Sequence, residues 1–237
     1  MPVQSHDSSR LIETACSSHG GLDAWSKVAS FHGSFRALGG AIPFLKGLAA
    51  TFDRPTTFSV YPHERRTVFH DYPSLDRETA FDGTTSPARM IVSAPRAPQS
   101  EQPNYRRRFQ GIAKWRRWNP TDAAYFFGYA LLTYFSVPFM LKDCEVLKVR
   151  RNAITVRLPP HLESHCQVQR FWFDPQGMIT RHDYCADVLG KVFRGAHYSA
   201  DFADVQGIKL ARARRVVPRL GIVPFPFTVL SAALAFD

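Results

Sequence analysis

Residues 123–141, AAYFFGYALLTYFSVPFML, run for 19 positions without a charge. A run of that length has to be surrounded by apolar material, either a bilayer or the centre of a folded core. Hydroxyls interrupt it at Tyr125, Tyr129, Thr133, Tyr134 and Ser136, and Pro138 sits near its end. Those groups suit a buried helix lining a cavity, with a membrane-spanning helix as the alternative. Thr121 or Asn119 can cap the helix, and Pro120 fits its first turn.

The rest of the chain must supply whatever wraps this helix, and it reads as short strands. Residues 30–38 alternate Phe31, Gly33, Phe35 and Ala37 against polar neighbours. Strand patterns follow at 47–61 and 65–72. Asp82-Gly83 signals a two-residue hairpin between 78–81 and 88–92. Residues 94–120, with four prolines, read as a long exposed connection. Strands resume at 144–149, 153–158, 166–173, 178–188, 193–202 and 208–217, and a final run covers 227–236. A first helix, capped by Ser8 or Ser9, runs to about Lys27 with a break at His19-Gly20-Gly21. About ten antiparallel strands with two helices predict an α+β domain over 1–237, a curved antiparallel sheet or incomplete barrel wrapped around helices.

Composition fits that class. A chain of 237 residues can bury roughly 70–75% of its unfolded surface in one domain. Its 19 Phe, 8 Tyr and 4 Trp suit broad spaces between sheet and helix. The net charge of +10 is spread along the chain and reads as a solvated, arginine-rich surface. Cys16, Cys144, Cys166 and Cys185 show no CxxC and no close pairing, which predicts thiols in a reducing compartment. The N-terminal residues lack a basic start followed by an apolar run, and this predicts a cytoplasmic protein.

Acid–base groups concentrate between Asp174 and Asp204, where His182, Asp183, Tyr184, Asp187, His197 and Tyr198 fall on two strand patterns. Alternation puts His182 and Tyr184 on one face and Arg181, Asp183, Cys185 and Asp187 on the other. A productive pair therefore has to cross strands, for example His182 with His197 or Tyr198. A histidine poised near neutral pH can move a proton. The plainer reading is a set of buried polar groups bonded to one another. Trp25, Tyr125, Tyr129, Tyr134, Phe139, His165 and Trp172 are the candidates for lining a ligand cavity.

The pair His161 and His165 has a metal-like i, i+4 spacing, but Pro159-Pro160 precedes it and a strand follows, so neither helix nor metal is expected. No glycine-rich phosphate loop, Walker sequence, GxSxG or paired-carboxylate motif appears, and no cofactor is expected. Residues 105–118 mix six cations with four aromatics. They read as a basic loop with rings packed back onto the domain. Docking on an anionic membrane surface ranks second, and nucleic acid is not favoured.

The segments HGGLDAW at 19–25, AYFFGYALLTYFSVPFML at 124–141, SHCQVQRFWFD at 164–174, RHDYCADVLG at 181–190 and AHYS at 196–199 carry a resemblance. The chain resembles the LolA/LolB-like lipoprotein-carrier fold and, more narrowly, an uncharacterised bacterial group with that architecture. The resemblance implies an unclosed antiparallel half-barrel around helices that plug an apolar cavity. Carriers are exported and this N-terminus reads as cytoplasmic, so it implies the architecture rather than lipoprotein transport. The expected function is binding of an apolar or aromatic small molecule, a lipid or polyketide-like metabolite. The alternative is a cofactor-independent cyclase, isomerase or dehydratase, using His182, Tyr184, His197, Tyr198 and Asp183 in the same cavity.

Overall fold

The computed structural model describes residues 3–47, 52, 54–185, 187 and 194–237. The charge-free run forms helix α4 (Pro120–Ser136) and the 3₁₀ turn Phe139–Asp143 that follows it. A capping box starts α4: the Asn119 side chain accepts from the Asp122 N–H at 2.8 Å, and the Asp122 carboxylate accepts from the Asn119 N–H at 2.9 Å. Pro120 occupies the first turn. Pro138 cannot continue the helix, and Val137 caps it in an extended conformation. Among the described residues no helix is long and apolar enough to cross a membrane. Ten residues of α4, Phe126, Phe127 and Leu131 among them, are buried within the protein instead.

Three shorter helices accompany it: α1 (Val3–Ser18), α2 (Leu22–Lys27) and α3 (Ala41–Lys46). Ser8 and Ser9 lie inside α1, so neither caps it as the sequence suggested. The expected break falls at Gly20–Gly21. Gly20 has φ +119°, and a Cβ there would sit 2.0 Å from the Gly207 carbonyl oxygen. Only glycine allows that approach, which seats the α1–α2 corner on a strand turn.

The strands form two meanders. The first is β1 (Phe31–Gly39), β2 (Thr56–Tyr61), β3 (Arg66–His70), β4 (Glu78–Asp82), β5 (Arg89–Ala94) and β6 (Ala97–Gln102). The second is β7 (Glu145–Arg150), β8 (Ala153–Arg157), β9 (Val168–Phe173), β10 (Ile179–Cys185), β11 (Arg194–Val205) and β12 (Ile208–Leu220). A two-residue strand β13 (Val223–Pro224) folds onto β12, and β14 (Leu230–Phe236) inserts between β1 and β12. β14 thereby joins the meanders into one antiparallel sheet of fourteen strands among the described residues, with β6 and β7 as its open edges. The chain passes from one edge to the other through α4, which lies against β2, β3 and β4. The result is an unclosed sheet curved around a buried helix, the α+β architecture expected from the sequence.

Several local expectations are corrected. The loop expected after Gly39 contains α3, and β2 starts only at Thr56. Residues 48–51 and 53 of the strand expected from Gly47 lie outside the described residues, as do 186 and 188 of the one expected to reach Val188. Asp82-Gly83 is not a two-residue hairpin. Asp82 accepts from the Thr84 N–H at 2.9 Å and from the Thr84 hydroxyl at 2.6 Å, and this side-chain turn holds a longer connection to β5. The connection expected over 94–120 contains edge strand β6, where Pro98 is tolerated, and two 3₁₀ turns at Tyr105–Phe109 and Gly111–Trp115.

The two halves of the sheet are filled differently. Under the first meander, Phe31, Phe35, Phe52, Phe58, Phe69 and Phe81 form a nearly dry lattice with Phe127 and Phe135 of α4. Under the second, the inward side chains include histidines, tyrosines, a glutamine and an arginine.

Candidate functional site

The candidate site lies between α4 and the inner face of β9 to β12. Cross-strand register fixes its centre: His182 pairs with Phe171 on one side and His197 on the other, and His197 pairs with Val216. Helical spacing brings Tyr129, Thr133 and Tyr134 of α4 to the same hollow, and the segment before β9 contributes Ser164, His165 and Cys166. Tyr184 and Cys185 close it from the end of β10.

Hydrogen bonds orient this wall. Gln169 donates its amide to the Ser164 hydroxyl at 3.0 Å and the Cys166 carbonyl at 2.8 Å. Its carbonyl oxygen is then free to accept from His182 Nε2 at 2.6 Å, so the network assigns the His182 proton to Nε2. The His182 ring stacks on Phe171 at 4.4 Å and lies 4.9 Å from Tyr184. The Tyr125 hydroxyl donates to Glu163 Oε1 at 3.0 Å and meets His165 Nε2 at 2.8 Å. Glu163 is also held by Arg106 at 2.9 Å.

His197 and Arg214 are different. His197 is 1% exposed, and neither of its ring nitrogens has a hydrogen-bond partner. The Tyr134 ring meets it edge-on at 4.7 Å. The Arg214 guanidinium lies 4.1 Å over the Tyr134 ring. It reaches the Ser199 hydroxyl at 3.3 Å, and its Nε is buried without a partner.

These surroundings fix charge states. Burial, reinforced by Arg214 and Arg219, pushes His182 down to about 3. Burial and then Arg106 push His165 down to about 3. His197 is held well below its ordinary range by burial, Arg214 and His182. Burial raises Tyr129 and Tyr184 well above the usual phenol range and Tyr134 to about 12. Burial lowers even Arg214 to about 10, which leaves it charged at neutral pH. The wall at pH 7 is thus neutral imidazoles, neutral phenols and one cation.

The hollow itself has a volume of about 40 Å³. That is close to the share of one water, roughly 30 Å³. On the other side of the 158–166 segment lies a cleft of about 220 Å³, lined by Trp25, His63, Leu132, Phe139, Met140 and Glu163. Thr133 lines both spaces. Trp25 and Phe139 stack at 4.5 Å with planes 7° apart.

The structure therefore brings His182, Tyr184, His197, Tyr129, Tyr134 and His165 together. It sets Tyr125 behind His165, and Trp25 and Phe139 at the adjoining cleft. Three expected members are elsewhere, and this is a correction. Asp183, Tyr198 and Trp172 lie on the outer face, because Phe171, His182 and His197 take the inward positions of their strands. Asp183 is clasped by Arg181 at 2.6 and 3.0 Å and accepts from Trp172 Nε1 at 3.1 Å. Tyr198 is flanked by Arg181 and Arg215. Arg214 was missed. Its parity with Ile208, Leu210 and Val216 on β12 is shared by the exposed Arg212, so parity alone does not single it out.

In 105–118, Tyr105, Phe109 and Trp118 are buried, and Arg108 and Arg116 bind Asp122. Among the described residues, no cluster of three His, Cys, Asp or Glu is placed to hold a metal ion.

The fold is an unclosed antiparallel sheet around a buried helix. No family model matches the chain, and no curated protein matches it. It is similar to a solved LolA superfamily protein from Nitrosomonas europaea, with 10% identity and a TM-score of 0.48, over 97% of this chain and 90% of that one. A DUF1329 family protein from Desulfovibrio piger is similar over the same shares, with 9% identity and a TM-score of 0.43. These likenesses concern the path of the chain alone.

Proposed function

We propose that this protein binds an apolar or aromatic small molecule between α4 and the inner face of β9 to β12. The observation that carries this is the contrast between the two halves of the sheet. The first is filled with phenylalanines. The second has a hollow with oriented polar groups, and next to it, sharing Thr133, a cleft opens between the β2–β3 and β4 ends of the first meander, α4 and the 158–163 segment, with the Trp25–Phe139 stack in its wall. Binding pockets combine apolar walls with a few convergent polar groups in this way.

Size narrows the class of ligand. The cleft of about 220 Å³ suits a one- or two-ring aromatic metabolite or a short acyl chain, and the hollow of about 40 Å³ receives its polar end. A long-chain lipid requires the α4 side chains to move. The protonation states favour binding over proton transfer. Imidazoles held near 3 are neutral and weakly basic at pH 7, so they orient a ligand by hydrogen bonding.

The test is fluorescence titration with prodan, a neutral apolar dye of two fused rings. Saturable enhancement is expected, and Thr133→Phe, which fills the junction of the two spaces, should abolish it while leaving the fold intact by circular dichroism. Unsaturable enhancement, or binding unchanged by the substitution, overturns the reading.

A further inference from the structure

We infer that the ligand of this site is a carboxylic acid, with its apolar body toward the cleft and its carboxylate seated against Arg214 and His197. The inference rests on the binding reading above and deepens it.

Arg214 is 9% exposed and points to the inner face beside Val216 and Ala232 of the neighbouring positions. Its contacts are a tyrosine ring and one long bond to a hydroxyl. Among the described residues no carboxylate lies within ion-pair distance of it. Two buried carboxylates in this half of the protein are already committed. Asp183 faces outward and pairs with Arg181 and, at 3.9 Å, Arg219. Glu163 is held by Arg106, by the Tyr125 hydroxyl and by the Ala88 N–H at 3.0 Å. A buried guanidinium without a counter-charge is costly, and the usual remedy is an anion with good geometry.

His197 supplies the second, independent observation. A neutral imidazole always carries one N–H and one acceptor nitrogen. At 1% exposure and with both nitrogens unpartnered, this ring holds a donor that nothing in the protein accepts. The groups facing it are Arg214, Tyr134, His182 and Tyr184, a set with one cation and no anion. A carboxylate takes the His197 N–H and the Arg214 Nε–H together, in the charge-assisted bonds that guanidinium favours. Neither Arg214 nor His197 lines the hollow in this structure; Tyr134 lines it and lies over Arg214, so the carboxylate reaches the cation when that ring turns aside.

The experiment compares decanoate with decan-1-ol by calorimetric titration at pH 7.5. The two share an apolar chain and differ in the charge of the head. Decanoate should bind at least about tenfold more tightly, a difference of about 1.4 kcal/mol. Arg214→Met should bring the two within about twofold of each other, and Arg214→Lys should keep part of the preference. Unliganded Arg214→Met should melt at or above the wild-type temperature, because it removes a buried charge that has no partner. Equal binding of acid and alcohol by the wild type overturns this inference and leaves the binding reading standing. So does decanoate failing to bind while prodan saturates. Failure of decanoate, decanol and prodan alike overturns both. A lower melting temperature for Arg214→Met makes Arg214 a structural tie and also overturns the inference.

Discussion

Lowering the pH from 7.5 to 5.5 should destabilise this protein far more than its surface charge implies. His165, His182 and His197 are 7%, 8% and 1% exposed, and burial holds each well below the ordinary histidine value of 6.5. In the unfolded chain each regains that ordinary value, so below pH 6.5 the unfolded state takes up protons that the native state refuses. Stability then rises with pH across the window between the native and unfolded values, and falls as pH drops into it. At pH 5.5 each of these three costs about 1.4 kcal/mol, together about 4 kcal/mol, and His19, buried and lowered in the same direction, adds to the loss. That is a large part of a typical total of about 5–15 kcal/mol. The melting temperature should drop by roughly 10 °C for a chain of this size. Buried carboxylates titrate elsewhere. Burial pushes Asp122 up, but bonds from Arg116, Asn119 and Arg108 outweigh it and hold the group below 3.8. Its contribution is present above that value and is lost only in stronger acid. Urea unfolding at both pH values measures the difference. His197→Phe, which forfeits no hydrogen bond, should shrink the loss by about 1.4 kcal/mol. A difference under about 1 kcal/mol between the two pH values would refute the reasoning, because it means that these rings are hydrated or already paired.

Gly128→Ala should destabilise the fold by about 1–3 kcal/mol, since the new Cβ would stand 2.5 Å from the Phe81 Cβ, which cannot swing aside; an unchanged urea midpoint contradicts the tight α4–β4 packing. Asp122→Asn should cost about 2–4 kcal/mol by leaving Arg108 and Arg116 without their shared carboxylate and weakening the α4 cap; thermal melting checks this, and a neutral result counts against the clamp. Asp183→Asn should lower stability through loss of the Arg181 pair yet leave prodan affinity within about twofold, because the side chain is on the outer face; a larger loss of affinity would return Asp183 to the site.

Much of this architecture is legible in the sequence because its signals are strong and local. Asn119 and Pro120 locate the start of α4 to the residue, the charge-free run overshoots its end, which falls at Ser136 before Pro138, and alternating runs locate the second meander. The resemblance in residues 19–25, 124–141 and 164–199 supplied the open sheet around a helix. Weaker signals failed for physical reasons. Strand β6 is an exposed edge, so Ala97–Gln102 carries no apolar alternation to betray it. Helix α3 is six residues long and interrupted by Pro43, too short for a period to show. At the site, alternation separates His182 from Asp183 correctly, but it cannot choose which face is inside. The partner strand decides that through Phe171 and Phe173, and so Trp172 and Tyr198 were expected in a cavity they do not reach. Arg214 was overlooked because an arginine in a basic chain reads as surface, and the exposed Arg212 shares its parity on β12.

The central claim is that the space between α4 and β9–β12 is a ligand site. A decyl diazirine photoprobe, activated on the folded protein and mapped by peptide mass spectrometry, tests it most directly. Label on Tyr129, Thr133 and Tyr134 and on the 164–169 and 182–185 peptides is the predicted result, with prodan as an effective competitor. Label confined to the outer face around Trp172 and Tyr198, or spread without competition, would contradict it.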